Sequence, residues 1–382
     1  MTEPLTILHI GPHKSRTTSI QLALDRARST LLSQHGIRYL TDARRINAQV
    51  AIHAFRSRAS QHLEYGTKPP RLFWSQLREQ VLTSNRSVVS AESLSRLTDE
   101  EVTLLRAELA GTSVRILITM RPLVRMVVSQ WQQIVQNGPA PELCEFSEGV
   151  INGVINTPRM KGRSEVVAGL QHDALVRRWS RAFGSENLEV VVADDANPEL
   201  LYARVADVIG VPHSVLLSEK TANRSLTWPE AELIRATFDQ LESEGALPLL
   251  GPDRLLARIA LDLKTRRVPP RDEHRIKFPE HLSLNALGRA NDFIQVVQEL
   301  GVRVRGDLSE IARQDGLGKN PKVEHVTSEL AANVALSALR SIAFGRPISD
   351  WVHGRGPGVS VICRSMVYRL LYRLYSAIRS DK

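Results

Sequence analysis

Short apolar segments alternate with helical patterns through the first half of the chain, and this alternation constrains its fold more than any other feature. Helical periodicity, for example over 19–32, 175–183 and 199–210, separates predicted strands at 5–10, 37–40, 88–89, 113–120 and 188–193. Strands that alternate with helices are typical of a parallel sheet covered by helices. We therefore predict an α/β fold.

The second half of the chain has a different pattern. Helical periodicity dominates at 229–243, 252–265, 285–300 and 327–344. We predict an α/β core over 1–226, a mostly helical part over 227–353 that completes it, and a hinge with an amphipathic C-terminal helix over 354–382. For this last helix, packing on the protein's own core or on a second subunit is favoured over weak contact with a membrane surface.

Composition and charge narrow the class of protein. The 382 residues are 42% hydrophobic and 24% charged, which is typical of a globular chain. With two cysteines, no signal peptide and no apolar run of about 20 residues, we expect a cytoplasmic protein. The net charge of +9, with 41 arginines, suits an anionic cofactor or glycan, or reflects an arginine-rich genome. No zinc-finger or basic-zipper pattern is present, so no nucleic-acid partner is expected.

A polar loop follows the first predicted strand and opens the first predicted helix. This polar loop, residues 11–19, reads Gly-Pro-His-Lys-Ser-Arg-Thr-Thr-Ser. A helix N-terminus offers unpaired N–H groups and partial positive charge, which suits a phosphate. A cation comes from Lys14 and hydroxyl groups from Ser15, Thr17, Thr18 and Ser19. The loop is P-loop-like, but only two residues separate Gly11 from Lys14, which is too few for a Walker A motif. The alternative is an ordinary Ser/Thr-rich helix cap with an incidental lysine.

A second segment carries chemistry at another strand-to-helix junction. The predicted strand over 113–120 runs directly into Arg121, and Ser129 follows eight residues later on the next predicted helix. Alone, that spacing is common by chance. Here the spacing falls at a strand-to-helix junction about a hundred residues after the polar loop. This position favours a second anion-binding contact, made by Arg121 and Ser129, over an ordinary start of a helix.

Together, the two segments resemble the PAPS-dependent sulfotransferases, especially the bacterial members related to carbohydrate sulfotransferases. The 5′-phosphosulfate loop of that family reads roughly Lys-Ser/Thr-Gly-Thr-Thr, and its 3′-phosphate motif is an Arg followed by a Ser eight residues later. The resemblance covers about 5–226, with weaker support from the stretch Asn-Arg-Ser-Leu that contains Arg224. Arg16 replaces the family glycine, and it either distorts the loop or adds a phosphosulfate ligand, which is the alternative we favour.

The resemblance implies a reaction and a set of site residues. The reaction is transfer of a sulfuryl group from PAPS to a hydroxyl or amine, on a carbohydrate or glycolipid acceptor, with PAP as the product and no metal. Lys14 would neutralise the leaving phosphate, and the base would be Glu92 or, as second choice, His13. The implied cofactor contacts are Gly11, Lys14, Ser15, Arg16, Thr17, Thr18, Ser19, Arg121, Ser129 and Arg224.

Two other hypotheses remain open at this point. The first is a non-catalytic protein that binds nucleotides or anionic glycans through a degenerate loop, and Arg16 is the residue that supports it. The second is a P-loop-like kinase, which the missing Walker spacing and the lack of a clear Walker B carboxylate disfavour.

Overall fold

A computed structural model describes residues 4–42, 45–59, 72–154, 158–160, 162, 164–194, 197–216, 224–246 and 252–344. Within these residues the chain forms two compact units. The first comprises Met1–Val127, Phe146–Lys220 and His281–Asp315, and the second comprises Val128–Glu145, Thr221–Glu280 and Gly316–Lys382. The predicted boundary near 226 stays a prediction, and the predicted hinge and C-terminal helix over 354–382 lie outside the described residues.

The first unit contains a six-stranded parallel sheet. Its strands are β1 (Leu5–His9), β2 (Arg38–Leu40), β3 (Arg86–Ser90), β4 (Ser113–Met120), β5 (Leu188–Val192) and β7 (Arg303–Arg305). They lie in the order β2-β3-β1-β4-β5-β7, and every neighbouring pair is parallel. The prediction of an α/β fold built on a parallel sheet flanked by helices is confirmed.

Helices cover both faces of this sheet. Those that lie wholly in the first unit are α1 (Thr17–Arg26), α2 (Arg28–His35), α3 (Gln49–Ala59), α4 (Leu72–Leu82), α5 (Asp99–Glu108), α8 (Ser164–Ala168), α9 (His172–Phe183), α10 (Pro198–Ile209) and α13 (Ser283–Glu299). Ile7 and Leu117 belong to a buried cluster with α1, α2 and α10, whereas Leu8 and Ile116 belong to the opposite cluster with α3, α5, α9 and α13. Alternate strand residues thus face opposite helical layers, which is why β1 and β4 carry apolar side chains on both faces.

The second unit is mostly helical, as predicted for the C-terminal part. It holds α11 (Trp228–Ser243), α12 (Pro252–Arg266), α14 (Ser328–Phe344) and a small sheet of β6 (Phe278–Pro279) and β8 (Leu317–Gly318). Two further helices, α6 (Leu123–Asn137) and α7 (Leu143–Asn152), each run from one unit into the other. Among the helices that the structure describes, we find no segment both long enough and apolar enough to cross a membrane.

Most predicted elements are present, but the structure differs from the prediction in several places, and α8, β6 and β8 are among the elements that were not predicted. The single helix predicted over 19–32 is two helices, α1 and α2, that meet at Ala27. Strand β7 was not predicted, because its Arg-Val-Arg sequence is polar and mostly exposed. The short helix α7 was also missed. Helix α5 begins with a capping box, a pattern that the sequence Thr98-Asp-Glu-Glu101 predicts: Thr98 Oγ1 accepts from Glu101 N at 3.2 Å, and Glu101 Oε2 accepts from Thr98 N at 2.9 Å.

The strand order determines where a ligand can bind. After β1 the chain continues to β2 on one side of the sheet, whereas after β4 it continues to β5 on the other side. In open α/β sheets a crevice forms outside the carboxyl ends of two such strands. The polar loop follows β1 and Arg121 follows β4, so the two segments singled out from the sequence lie at this point.

Candidate functional site

The polar loop is closed by its own buried hydroxyl groups. The Ser15 Oγ atom donates to the Pro12 carbonyl at 2.7 Å and lies 3.2 Å from Thr17 Oγ1. A Cβ atom at Gly11 would lie only 2.7 Å from Ser15 Oγ and 2.8 Å from Thr17 Oγ1, so no side chain fits at that position. The hydroxyls of Ser15 and Thr17 therefore bond within the loop, while Thr18 is exposed and Ser19 is half-buried at the first turn of α1.

Two residues of the polar loop have a left-handed backbone. The φ angle is 68° at Lys14 and 69° at Arg16, and these are the non-glycine residues with positive φ in the described chain. This conformation favours glycine, because a Cβ atom there crowds the neighbouring carbonyl. Arg16 is the N-cap of α1 and stands where the resembling family has glycine. The loop therefore keeps a glycine-like backbone at Arg16, at the cost of local strain.

Arg121 contacts the polar loop directly. Its Nη1 donates to the Lys14 carbonyl oxygen at 3.4 Å, which joins the end of β4 to the loop after β1. A long hydrogen bond of this kind contributes little energy, but it shows that the Arg121 side chain reaches the backbone of the polar loop at Lys14. Within the first unit, Arg121 and the polar loop thus lie in direct contact.

The two candidates for the base, His13 and Glu92, contact each other. Glu92 begins the 3-10 helix Glu92–Arg96 directly after β3, and its Oε2 lies 3.0 Å from His13 Nδ1. Burial opposes ionisation of Glu92, but the hydrogen bond from His13 and the charges of Lys14 and Arg96 outweigh it and hold the pKa of Glu92 below its usual value. Glu92 is therefore a carboxylate at neutral pH and acts as an acceptor only.

This contact determines which nitrogen of His13 is basic. Because the Glu92 carboxylate can only accept, Nδ1 of His13 carries the proton, and Nε2 of the neutral ring carries the lone pair. Nε2 is buried from solvent, and among the described residues it has no hydrogen-bond partner. The pair thus has the arrangement of a general base with a carboxylate that orients it.

Two predicted cofactor contacts lie in the second unit. Ser129 is half-buried on α6, and its role in binding a phosphate stays a prediction. Arg224 donates from Nη1 and Nη2 to the two carboxylate oxygens of Glu230, both at 2.7 Å, and Glu230 is fully buried. This ion pair gives Arg224 a structural role inside the second unit, and its cofactor role also stays a prediction.

Two residues of the site were not singled out from the sequence. Thr119 Oγ1 lies 3.0 Å from Ser15 Oγ and so anchors the polar loop to β4. His9 lies beside Thr119 at the end of β1 and is fully buried. The sequence does carry a signal for both residues. His9 and Thr119 are polar side chains near the ends of β1 and β4, shortly before the polar loop and Arg121.

Comparisons with known proteins give remote similarity to solved structures only. No protein-family model matches the chain, and no curated protein matches it. Among solved structures, a sulfotransferase from Alicyclobacillus acidocaldarius is similar, with 17% sequence identity and a TM-score of 0.39. The match covers 67% of this chain and 96% of that one. The similarity is remote. It carries no argument about which residues act or on what.

Proposed function

We propose that the protein is a sulfotransferase that transfers a sulfuryl group from PAPS to a hydroxyl or amine, with a carbohydrate or glycolipid as the acceptor. The contact between Arg121 and the Lys14 carbonyl carries the proposal. It joins the two segments that resemble the 5′-phosphosulfate and 3′-phosphate motifs at one crevice. A site for a nucleotide with two separated anionic groups needs cationic donors from two such segments.

The residues at the crevice fit such a ligand. The first turn of α1 holds Thr17, Thr18 and Ser19 and no acidic residue, so its N–H groups favour an anion. The absence of a side chain at Gly11 brings the loop backbone close to the strand ends. Lys14 and Arg16 add cationic side chains within the same loop.

The chemistry divides between two groups of side chains. PAPS, when bound, supplies the sulfuryl group and an anionic leaving phosphate. The ammonium group of Lys14 neutralises charge on that phosphate. Nε2 of His13 takes the proton of the acceptor hydroxyl or amine, and Glu92 holds the ring in the tautomer that can do so. This assignment reverses the order of preference drawn from the sequence, since an ionised Glu92 bonded to His13 acts best as the orienting group.

The non-catalytic alternative depended on Arg16 distorting the loop. Arg16 instead adopts the positive φ that glycine would adopt, and α1 begins directly after it. This conformation supports a loop whose backbone follows the same path as one with glycine at this position. The basic nitrogen of His13 supports catalysis over binding alone.

The proposal is tested by incubating the protein with PAPS and a panel of simple sugars and glycolipids, and by measuring PAP release. Calorimetric titrations with PAP, ATP and heparin accompany the assay. The proposal expects PAP binding and acceptor-dependent PAP release. Binding of ATP with no binding of PAP favours the kinase, and binding of heparin with no binding of PAP favours the non-catalytic protein. Either result overturns the proposal.

A further inference from the structure

A chain of buried side-chain hydrogen bonds runs beneath the polar loop, with His9 at its centre. His9 is the last residue of β1 and is fully buried. Its Nδ1 lies 2.8 Å from Ser90 Oγ on β3, and its Nε2 lies 3.1 Å from Thr119 Oγ1 on β4. Two residues after Ser90 comes Glu92, and two residues after Thr119 comes Arg121. The His9 ring therefore ties together the strand ends that carry the site.

The chain of bonds extends in both directions from His9. Towards the polar loop, Thr119 Oγ1 lies 3.0 Å from Ser15 Oγ, which bonds the Pro12 carbonyl. Towards α1, Gln21 Nε2 donates to Ser90 Oγ at 3.1 Å. The side chains of Ser15, Thr119, Ser90 and Gln21 are all buried. The donors and acceptors must therefore be satisfied by one another.

The end of the chain at Pro12 determines the direction of these bonds. A carbonyl can only accept, so the single hydroxyl proton of Ser15 points to Pro12. Ser15 must then accept from Thr119, whose own single proton is used in that bond. The Thr119 oxygen is left to accept a proton from His9 Nε2.

The other end of the chain is consistent with this direction. With Nε2 protonated, Nδ1 of the neutral ring accepts from the Ser90 hydroxyl, and the Ser90 oxygen accepts from the Gln21 amide. Burial lowers the pKa of His9 to about 4, against the attraction of Glu92, so the ring is neutral at neutral pH. A single tautomer of His9 thus satisfies every member of the chain.

We propose that His9 is a positioning residue for the polar loop, and that its Nε2–H tautomer holds the Ser15 hydroxyl against the Pro12 carbonyl through Thr119. The bond from the Ser15 hydroxyl to the Pro12 carbonyl closes the turn that contains His13 and Lys14. It therefore sets the backbone of Lys14, the residue proposed to contact the leaving phosphate. The inference rests on the proposed function for the ligand of this loop, and on the described contacts for everything else.

Three variants separate positioning from general stability. Thr119→Val removes the hydroxyl at nearly unchanged volume, and Thr119→Ser restores it. Thr6→Val is the control, because Thr6 Oγ1 makes a buried bond of 2.9 Å to Ser87 Oγ between β1 and β3, outside the chain of bonds described above. Thr6 and Thr119 are both fully buried, so each valine variant removes a buried hydroxyl group, with two hydrogen bonds lost at Thr119 and one at Thr6.

The first measurement needs no nucleotide. Nitrogen-15 NMR of the full-length protein, with the His9 signal assigned by its loss in His9→Gln, is expected to show the proton on Nε2. Amide exchange in residues 13–16 is expected to be about tenfold faster in Thr119→Val than in wild type, and unchanged in Thr6→Val. A proton on Nδ1, or equal exchange in the two valine variants, overturns the inference.

The second measurement uses PAP as the probe. Thr119→Val is expected to bind PAP about tenfold more weakly than wild type, because the link between His9 and Ser15 is lost, while Thr119→Ser stays within about threefold. Thr6→Val is expected to bind as wild type does. Equal weakening by the two valine variants overturns the inference. If the wild type binds no PAP, the proposed function fails, and the NMR and exchange results still decide the role of His9.

Discussion

Nδ1 of His13 lies 3.0 Å from Oε2 of Glu92, and this contact unites two residues that the sequence offered as competing bases. It makes Glu92 the group that orients His13, and it leaves Nε2 of His13 as the basic nitrogen. In the proposed reaction the two residues would act as a unit, so we expect their contributions to the rate not to be additive.

Removing either member of this pair should lower turnover while leaving nucleotide binding intact. General bases contribute about 100-fold or more to the rate, so we expect His13→Ala to lower kcat by about that factor. Glu92→Gln keeps the shape but loses the charge that orients His13, and we expect it to lower kcat by about tenfold or more. The double variant should lose no more than His13→Ala alone, as measured by PAP release. If the losses in kcat of the two single variants were fully additive in the double variant, the two residues would act independently, which would contradict the pairing.

Lys14→Ala should leave the fold intact and lower turnover with PAPS by about 100-fold, because one preorganised cation is lost at the leaving phosphate. Since Lys14 has a φ of 68°, alanine retains the backbone strain at this position. Lys14→Gly removes both the cation and the strain, so it separates the two effects. The glycine variant should be at least as stable as wild type in thermal unfolding and equally impaired in turnover. Wild-type turnover in either variant would exclude Lys14 from the reaction.

Arg16→Gly should shift stability and affinity in opposite directions. Glycine adopts a φ of 69° without crowding, so the free energy of unfolding should rise by about 1 kcal/mol. PAP affinity should fall, because the guanidinium that we assign to the phosphosulfate is removed. Arg16→Ala, which keeps the strain, should lose the same affinity with no gain in stability. Tighter PAP binding by Arg16→Gly would show that arginine distorts the loop.

Two buried histidines should make the first unit sensitive to acid. Burial lowers the pKa of His9 and of His172 to about 4, from an ordinary value near 6.5. Between these values the unfolded chain binds protons that the folded chain does not, so stability is full above about pH 6.5 and falls as the pH drops towards 4. The loss is on the order of 3 kcal/mol for each histidine.

Urea unfolding at a series of pH values checks this acid sensitivity. His172 packs edge-on against Phe293, and its Nε2 is buried without a hydrogen bond among the described residues, so His172→Leu removes a titrating group without breaking a hydrogen bond at Nε2. In that variant the free energy of unfolding should fall less steeply than in wild type as the pH drops from 6.5 to 4. An unchanged slope would contradict the assignment to His172.

The sequence predicts the sheet and its helices well because the signals are local. Apolar strands such as 113–120, the cap at Thr98 and the helices of the second half depend on residues close in the chain. Strand β7 cannot be predicted from local signals, because its Arg-Val-Arg sequence is polar. It forms a strand only because β5 offers an edge with which it can pair. The break at Ala27 likewise has no glycine or proline to mark it.

The contacts within the candidate site were less predictable than the fold. The order of strand, loop and helix was sufficient to single out the polar loop and Arg121, whereas Glu92 was singled out through the family resemblance. The pairing of His13 with Glu92 depends on β1 and β3 lying side by side, which composition cannot reveal. The role of His9 depends on three strand ends that are 81 and 110 residues apart in the chain.

The central claim is that the crevice binds a nucleotide with phosphates at both the 5′ and the 3′ positions. Calorimetric titration of wild type and Arg121→Ala with PAP and with AMP, which lacks the 3′-phosphate, tests it most directly. Damage to the polar loop would weaken both nucleotides alike, so the ratio of their affinities isolates the 3′-phosphate. We expect wild type to prefer PAP by about tenfold or more and Arg121→Ala to lose that preference, since a charge-assisted bond contributes about 1.5–3 kcal/mol. Equal affinity of wild type for PAP and AMP would contradict the account.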